Sequence, residues 1–192
     1  GVEVAAEVST TQIRFLECAG NTYTESLSMP RSKTVQFSHG LLSSCEWTGV
    51  PLSTVLAEAG VKPEARWVLP EGADAAAMAR SIPIEKALDD TLVVYAQNGE
   101  MLRPEQGYPL RLLVPGYEGN LSIKWLRRLK LGKQPWHTRD ETSKYTDLMP
   151  DGTVRQFTLV MEAKSVITRP SGGHVLKAHG FHEISGLAWS GR

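Results

Sequence analysis

The sequence has only two cysteines in 192 residues, Cys18 and Cys45, and no Cys-x-x-Cys pair. That composition excludes a disulfide-dense scaffold and a cysteine-built zinc site. The five histidines are scattered, and only His179 and His182 stand close enough to be paired ligands. They read as ordinary strand-surface residues. A net charge is also missing: 21 Lys and Arg balance 21 Asp and Glu. No global field therefore points towards nucleic acid or an anionic membrane, so an anion site has to be built locally. No apolar run approaches the roughly 20 residues that span a bilayer. Internal repeats and low-complexity segments are absent too. There is no initiator Met and no signal-peptide pattern at Gly1, and the chain stops at Arg192 just after what reads as an unfinished strand. The expectation is a piece of a longer protein, cut at both ends.

What is present is a globular composition, 41% hydrophobic and 22% charged, in a chain long enough to bury a sizeable core. Residues 10–17 alternate as a strand and run into Cys18-Ala19-Gly20-Asn21, where small and turn-forming residues end it. Residues 51–60 set Leu52, Val55, Leu56 and Ala59 on one helical face, opened by Pro51 and closed by Gly60. Residues 83–90 predict a two-turn helix with Ile84, Ala87 and Leu88 inward. Leu92 to Ala96 reads as a strand followed by the hairpin signal Asn98-Gly99. Leu110 to Val114 reads as another strand, leading into a loop at Gly119-Asn120 that could cradle an anion. Trp125 to Leu131 reads as a partly exposed strand, with Leu126 and Arg127 off its pattern. Residues 137–152 are polar and read as an inter-domain loop. Beyond them, short strands broken by Pro and Gly suggest the start of a β-sandwich. The fold class is α+β.

Two residues carry candidate chemistry on their own. Cys18 sits at a strand-to-loop junction where Ala19 and Gly20 leave room for a bulky group. The residues alone leave three readings open: a packed thiol, a disulfide to Cys45, or a metal thiolate, and the first is favoured by the usual burial of Cys. Arg111 stands among Leu110, Leu112 and Leu113, an unusual setting for a charge.

The blocks RFLECAGN, WTGVPLSTVLAEAG, SIPIEKAL and NGEMLRPEQGYPLRLLVPGYEGNLSIKWL, in this order and spacing, resemble the sulfite oxidase family over essentially the whole chain. ECAGN, TRDETSKYTDLMPDG and EISGLAWSGR resemble its sulfane dehydrogenase (SoxC) branch more closely still. The resemblance implies a molybdopterin-binding domain over residues 1–152, lacking its N-terminal part, and the beginning of an immunoglobulin-like dimerisation sandwich over 153–192. It implies the molybdenum cofactor (Mo-molybdopterin), with Cys18 as the single protein ligand to the metal. Thiolate is a soft donor suited to a metal already carrying sulfur. Cys45 is left to packing. Arg111, Lys124, Ser122, Ile123, Asp74 and Gln106 fall on cofactor-binding positions, Ser122 and Ile123 through their backbone. Arg and Lys are sensible partners for a phosphate dianion.

Departures from the pattern narrow the expectation. Gln106 stands where sulfite oxidases carry a His, and can hydrogen-bond but not be charged. Thr22 and Tyr23 stand where sulfite enzymes carry arginines for the substrate oxyanion, which argues against free sulfite. The active-site Tyr expected after Arg139-Asp140 is replaced by Glu141, and Tyr145, the nearest, takes its role. The resemblance then implies oxidation of sulfane sulfur bound to a sulfur-carrier protein, a c-type cytochrome subunit as electron acceptor, a homo-oligomer through the sandwich, and a periplasmic location. The alternatives are a sulfite dehydrogenase, a non-catalytic assembly subunit, and an exported binding domain with a Cys18–Cys45 disulfide. A piece lacking the upstream cofactor contacts is expected to hold cofactor poorly.

Overall fold

The computed structural model describes residues 8–22 and 34–191. Strand β1 (Thr10–Glu17) forms where the alternating pattern places it, and pairs antiparallel with β2 (Leu42–Pro51). Among the described residues between them is a short helical turn, α1 (Val35–Ser38), capped by the Thr34 side chain. Helix α2 (Leu52–Ala59) starts after Pro51 and ends at Gly60, whose φ of 74° only glycine adopts without cost. Strands β3 (Trp67–Gly72) and β4 (Ile82–Pro83) follow, then helix α3 (Ile84–Asp89). Ile84 and Ala87 face inward as expected, but Leu88 is 47% exposed, because so short a helix offers little more than one turn to the core.

Strand β5 (Leu92–Gln97) joins β6 (Glu100–Met101) through Asn98 and Gly99, both at positive φ, the twist a two-residue hairpin demands. Strand β7 (Arg111–Leu113) also pairs with β5, which completes a five-stranded sheet with β1 and β2. A second sheet runs in the order β4-β3-β8, where β8 is Leu126–Gly132. The register of β3 and β8 slips between Glu71 and Gly72 and passes over Arg127. That bulge is why Leu126 and Arg127 break the alternation of the strand.

Helices α2 and α3 pack with residues of both sheets around one core, in which Leu52, Val68, Ile82, Ala87, Leu112, Val114 and Leu121 are fully buried. A second cluster, Trp47, Leu92, Val94, Leu102 and Leu113, covers the other face of β5 and β7. Strand β7 is therefore buried on both faces. Arg111 alternates with Leu112 onto the Trp47 side, and its guanidinium lies 5.0 Å from the Trp47 ring.

The polar stretch after Trp136 is not the open loop expected. It contains helix α4 (Arg139–Ser143), opened by a capping box in which Thr138 and Glu141 each satisfy the other's backbone N–H. Asp140 and Glu141 are buried. Strands β9 (Thr146–Leu148) and β10 (Val154–Gln156) form a ribbon, as do β11 (Lys164–Arg169) and β12 (Ser185–Trp189). The strand read through 155–161 is shorter than expected: Phe157 takes φ 57°, and Val160 makes only an isolated bridge to Tyr117. His179 and His182 lie in an exposed bend before β12 rather than on a strand. Both cysteines are free thiols. No helix among the described residues is long and apolar enough to cross a membrane.

The capping box gives a direct test of α4. The Thr138 hydroxyl accepts from Glu141 N–H and also donates to the Ala79 carbonyl at 2.9 Å. Thr138→Ala is expected to lower stability by about 1 kcal/mol in urea unfolding, while Thr138→Ser stays near the parent. Equal stability of parent and Thr138→Ala would show that the cap is idle.

Candidate functional site

The loop that follows β3, the 3-10 turn Gly119–Leu121 and helix α4 converge on one cleft of about 280 Å³. Asp74, Ser122, Ile123, Lys124 and Tyr145 line it together with Asn120, Trp125, Arg139 and Lys144. Five of the eight residues singled out from sequence thus meet in one place. Asp74 is held by its own turn, where its Oδ1 accepts from Met78 N–H at 3.2 Å. The Ser122 hydroxyl accepts from Val114 N–H at 3.1 Å, and the Ile123 side chain is buried in the core. Lys124 is exposed at the cleft, and its Nζ donates to the Glu105 carbonyl at 2.6 Å. The chain there runs tight against Gly107, at φ 110°, where a Cβ would stand 2.9 Å from Lys124 Cβ.

Arg111 sits beneath the cleft instead of lining it. Its Nη1 and Nη2 donate to the carbonyls of Gln106 at 3.0 Å and Ser122 at 3.2 Å, so it braces two of the predicted positions. Its Nε is buried without a hydrogen-bond partner. Burial brings its pKa down to about 10. Burial and the nearby Arg111 charge lower that of Lys124. Two cations so close raise the local potential and favour a bound anion. Gln106 turns its side-chain oxygen to Arg103 N–H at 3.2 Å and does not line the cleft.

Cys18 follows the last residue of β1 and its thiol is exposed. It adjoins the cleft through Gly119, where an added Cβ would come within 3.6 Å of Cys18 N and 2.7 Å of the Glu17 carbonyl. Burial pushes the Tyr145 phenol above its ordinary pKa, and the Cys18 charge adds to this, while Arg80 opposes it. Tyr145 therefore stays a neutral O–H donor at physiological pH. Thr22 holds φ 72°, an unusual conformation for a β-branched residue, and its N–H bonds Ser38 O at 3.0 Å. Tyr23 lies outside the described residues. Among those residues, no group of three His, Cys, Asp or Glu side chains gathers as a metal cage.

Sequence reasoning missed the layer behind Tyr145. Arg80 is fully buried, with its guanidinium 4.5 Å from the centre of the Tyr145 ring. It donates to Asn120 Oδ1, and its Nε lies 3.6 Å from Glu141. Burial lowers the Arg80 pKa, and Glu141 is the largest influence opposing this. Glu141, also fully buried, accepts from Ser81 N–H and from Thr138 N–H. The Thr-x-x-Glu capping pattern was a legible signal for Glu141; its pairing with an arginine some sixty residues earlier was not.

The family described as oxidoreductase molybdopterin binding domain matches residues 3–139. Mitochondrial sulfite oxidase of Mus musculus is 32% identical over 92% of this chain and 35% of its own length. The NADPH nitrate reductase of Neurospora crassa is also 32% identical, over 92% of this chain and 21% of its own length. Among solved structures, the sulfane dehydrogenase SoxCD from Paracoccus pantotrophus matches with a TM-score of 0.85 at 52% identity. That match covers 95% of this chain and 47% of the solved one. The chain thus spans about a third of the length of the sulfite oxidases it matches.

The Arg80–Glu141 pair predicts a measurable coupling. Arg80→Gln leaves a buried carboxylate without its cation and is expected to cost about 3–5 kcal/mol in urea unfolding. Adding Glu141→Gln is expected to return part of that loss. A strictly additive double variant would mean that the two side chains do not sense each other.

Proposed function

Because the chain belongs to the oxidoreductase molybdopterin-binding family, we propose that it forms the cofactor-holding part of a molybdenum enzyme that oxidises sulfane sulfur. The cleft beside Cys18 is the observation that carries this reading, and the 52% identity to a sulfane dehydrogenase supports the choice of substrate. When bound, the molybdenum cofactor supplies two-electron redox chemistry and oxygen transfer. The donor set suits it: an accessible thiol, an adjoining cleft, and a lysine that feels the charge of a buried arginine.

In this reading Cys18 provides the thiolate to the metal. Lys124 holds the cofactor's phosphate as a point charge, and Arg111 supports it from below while fixing the Ser122 carbonyl. Asp74 accepts N–H groups of the pterin, with the backbone at Ser122 and Ile123 alongside. Gln106 acts through its carbonyl, which orients Arg111, and its amide is left to its own turn. Tyr145 donates its phenolic proton to an oxygen of the reacting group and keeps that wall of the cleft dry.

The finer reading follows the same resemblance. The substrate is sulfane sulfur on a carrier protein, the acceptor is a c-type cytochrome, and the setting is the periplasm. Residues 1–152 are the cofactor domain. The ribbons after residue 152 begin an immunoglobulin-like sandwich through which copies associate. Thr22 favours a thiol-bound substrate over free sulfite, since a guanidinium for an oxyanion is missing there.

Metal analysis and turnover test the proposal together. The matured full-length protein is expected to contain one molybdenum per chain, and Cys18→Ser to lose most of it. With a cytochrome c acceptor, carrier-bound sulfane is expected to outperform sulfite. Sulfite as the better substrate would make it a sulfite dehydrogenase, and properly matured protein without molybdenum would make it a non-catalytic subunit. Lys124→Ala is expected to reduce cofactor retention about tenfold or more, with apoprotein stability nearly unchanged, as for loss of a charge-assisted hydrogen bond.

A further inference from the structure

The residue before Cys18 is a fully buried carboxylate, which is unusual beside an exposed thiol. Glu17 receives three donors from three separate parts of the chain. Its Oε1 accepts from Asn21 Nδ2 at 2.9 Å and from Lys164 Nζ at 2.7 Å, and its Oε2 accepts from Trp189 Nε1 at 2.6 Å. Asn21 belongs to the turn that carries Cys18, Lys164 opens β11, and Trp189 closes β12. Isolated burial of a carboxylate is costly, so these donors are obligatory partners and not incidental contacts.

The same turn is closed by three further bonds. Cys18 N–H donates to the Leu41 carbonyl at 2.9 Å, and Asn21 N–H to the Cys18 carbonyl at 2.9 Å. Leu41 N–H donates in turn to Asn21 Oδ1 at 3.1 Å. Asn21 thus reads the Glu17 carboxylate with its amide nitrogen and holds the returning chain with its amide oxygen. On the other side, the Trp189 ring meets His39 edge-on at 6.3 Å. The C-terminal segment also reaches the opposite wall through its backbone: Gly191 N–H bonds Met161 O, Met161 N–H bonds Gly116 O, and Glu118 N–H bonds Leu159 O.

We infer that Glu17 is a positioning residue that locks the Cys18 turn to the β11–β12 ribbon, so that the ribbon determines where the thiol stands. The geometry is a hub: remove Trp189 or Lys164, more than 140 residues away, and the carboxylate beside Cys18 loses a donor. This builds on the reading of Cys18 as the metal ligand, but the coupling itself does not require metal.

Hydrogen exchange in the full chain, followed by mass spectrometry on the peptide spanning residues 15–22, tests the hub without cofactor. Trp189→Phe and Lys164→Met are each expected to accelerate exchange of the Cys18 and Asn21 amides by about tenfold. In the loaded enzyme, Trp189→Phe is expected to shift the thiolate-to-metal charge-transfer absorption, whereas a variant equally destabilised away from the Cys18 turn is expected to leave that absorption in place. Glu17→Gln, which keeps an acceptor for Asn21 and Trp189, is expected to stay closer to the parent than Glu17→Ala. If Glu17→Ala fails to fold, Trp189→Phe and Lys164→Met decide alone. Parent-like exchange at Cys18 and Asn21 in both, with faster exchange confined to the ribbon, overturns the inference. If Cys18→Ser keeps its molybdenum, the proposed function falls while the exchange coupling still stands or fails by itself.

Discussion

A charge taken out of water has to be met by donors or by an opposite charge, and this protein buries Glu17, Arg80 and Glu141 completely. Each can persist only if remote pieces of chain arrive at it. Arg80 precedes β4, and Glu141 sits in the first turn of α4, so their pairing draws residues 138–145 back onto the chain at 79–81. Tyr145 reaches the cleft wall as a consequence of that return. Glu17 imposes the same demand on Lys164 and Trp189. The hydrophobic clusters supply most of the favourable free energy, but they are non-directional. Buried charges add the direction.

The chain as a whole is electrically neutral, yet its cleft is not. Strand β7 explains how. With both faces buried, it must carry something inward at every position, and at 111 that residue is an arginine stacked on Trp47. Two of its donors are spent on main-chain carbonyls, which fixes the guanidinium as a permanent positive charge under Ser122. Lys124, on the next stretch of chain, feels it. A local field of this kind needs no excess of basic residues in the composition, only two held close to one another.

Much of the local structure was legible in the sequence because it rests on short-range physics. Alternation placed β1 and β5, Pro51 and Gly60 bounded α2, and Asn98-Gly99 set the hairpin. The failures have a common origin in contacts distant along the chain. Helix α4 looked like loop because its apolar periodicity is nil; it is held by a capping box and by Glu141 reaching Arg80 and Ser81. Leu126 and Arg127 broke pattern because of a bulge decided by β3. At the site, Asp74, Ser122, Ile123, Lys124 and Tyr145 line one cleft, but the cleft's support did not announce itself. Arg80 looks like any arginine until its burial is known.

Position 141 shows how such support constrains chemistry. Where sulfite oxidases are expected to carry a tyrosine after Arg-Asp, this chain has Glu141, whose oxygens are turned wholly inward to Ser81, Thr138 and Arg80. A tyrosine there would leave Arg80 as an unpaired buried cation, which the interior does not tolerate. The tyrosine that does line the cleft is Tyr145, whose ring lies over the guanidinium that Glu141 holds. Arg80 thus joins Glu141 on one side to the Tyr145 ring on the other. Any uncharged replacement of Glu141 is therefore bound to the fate of Arg80, the cation that it neutralises in the interior.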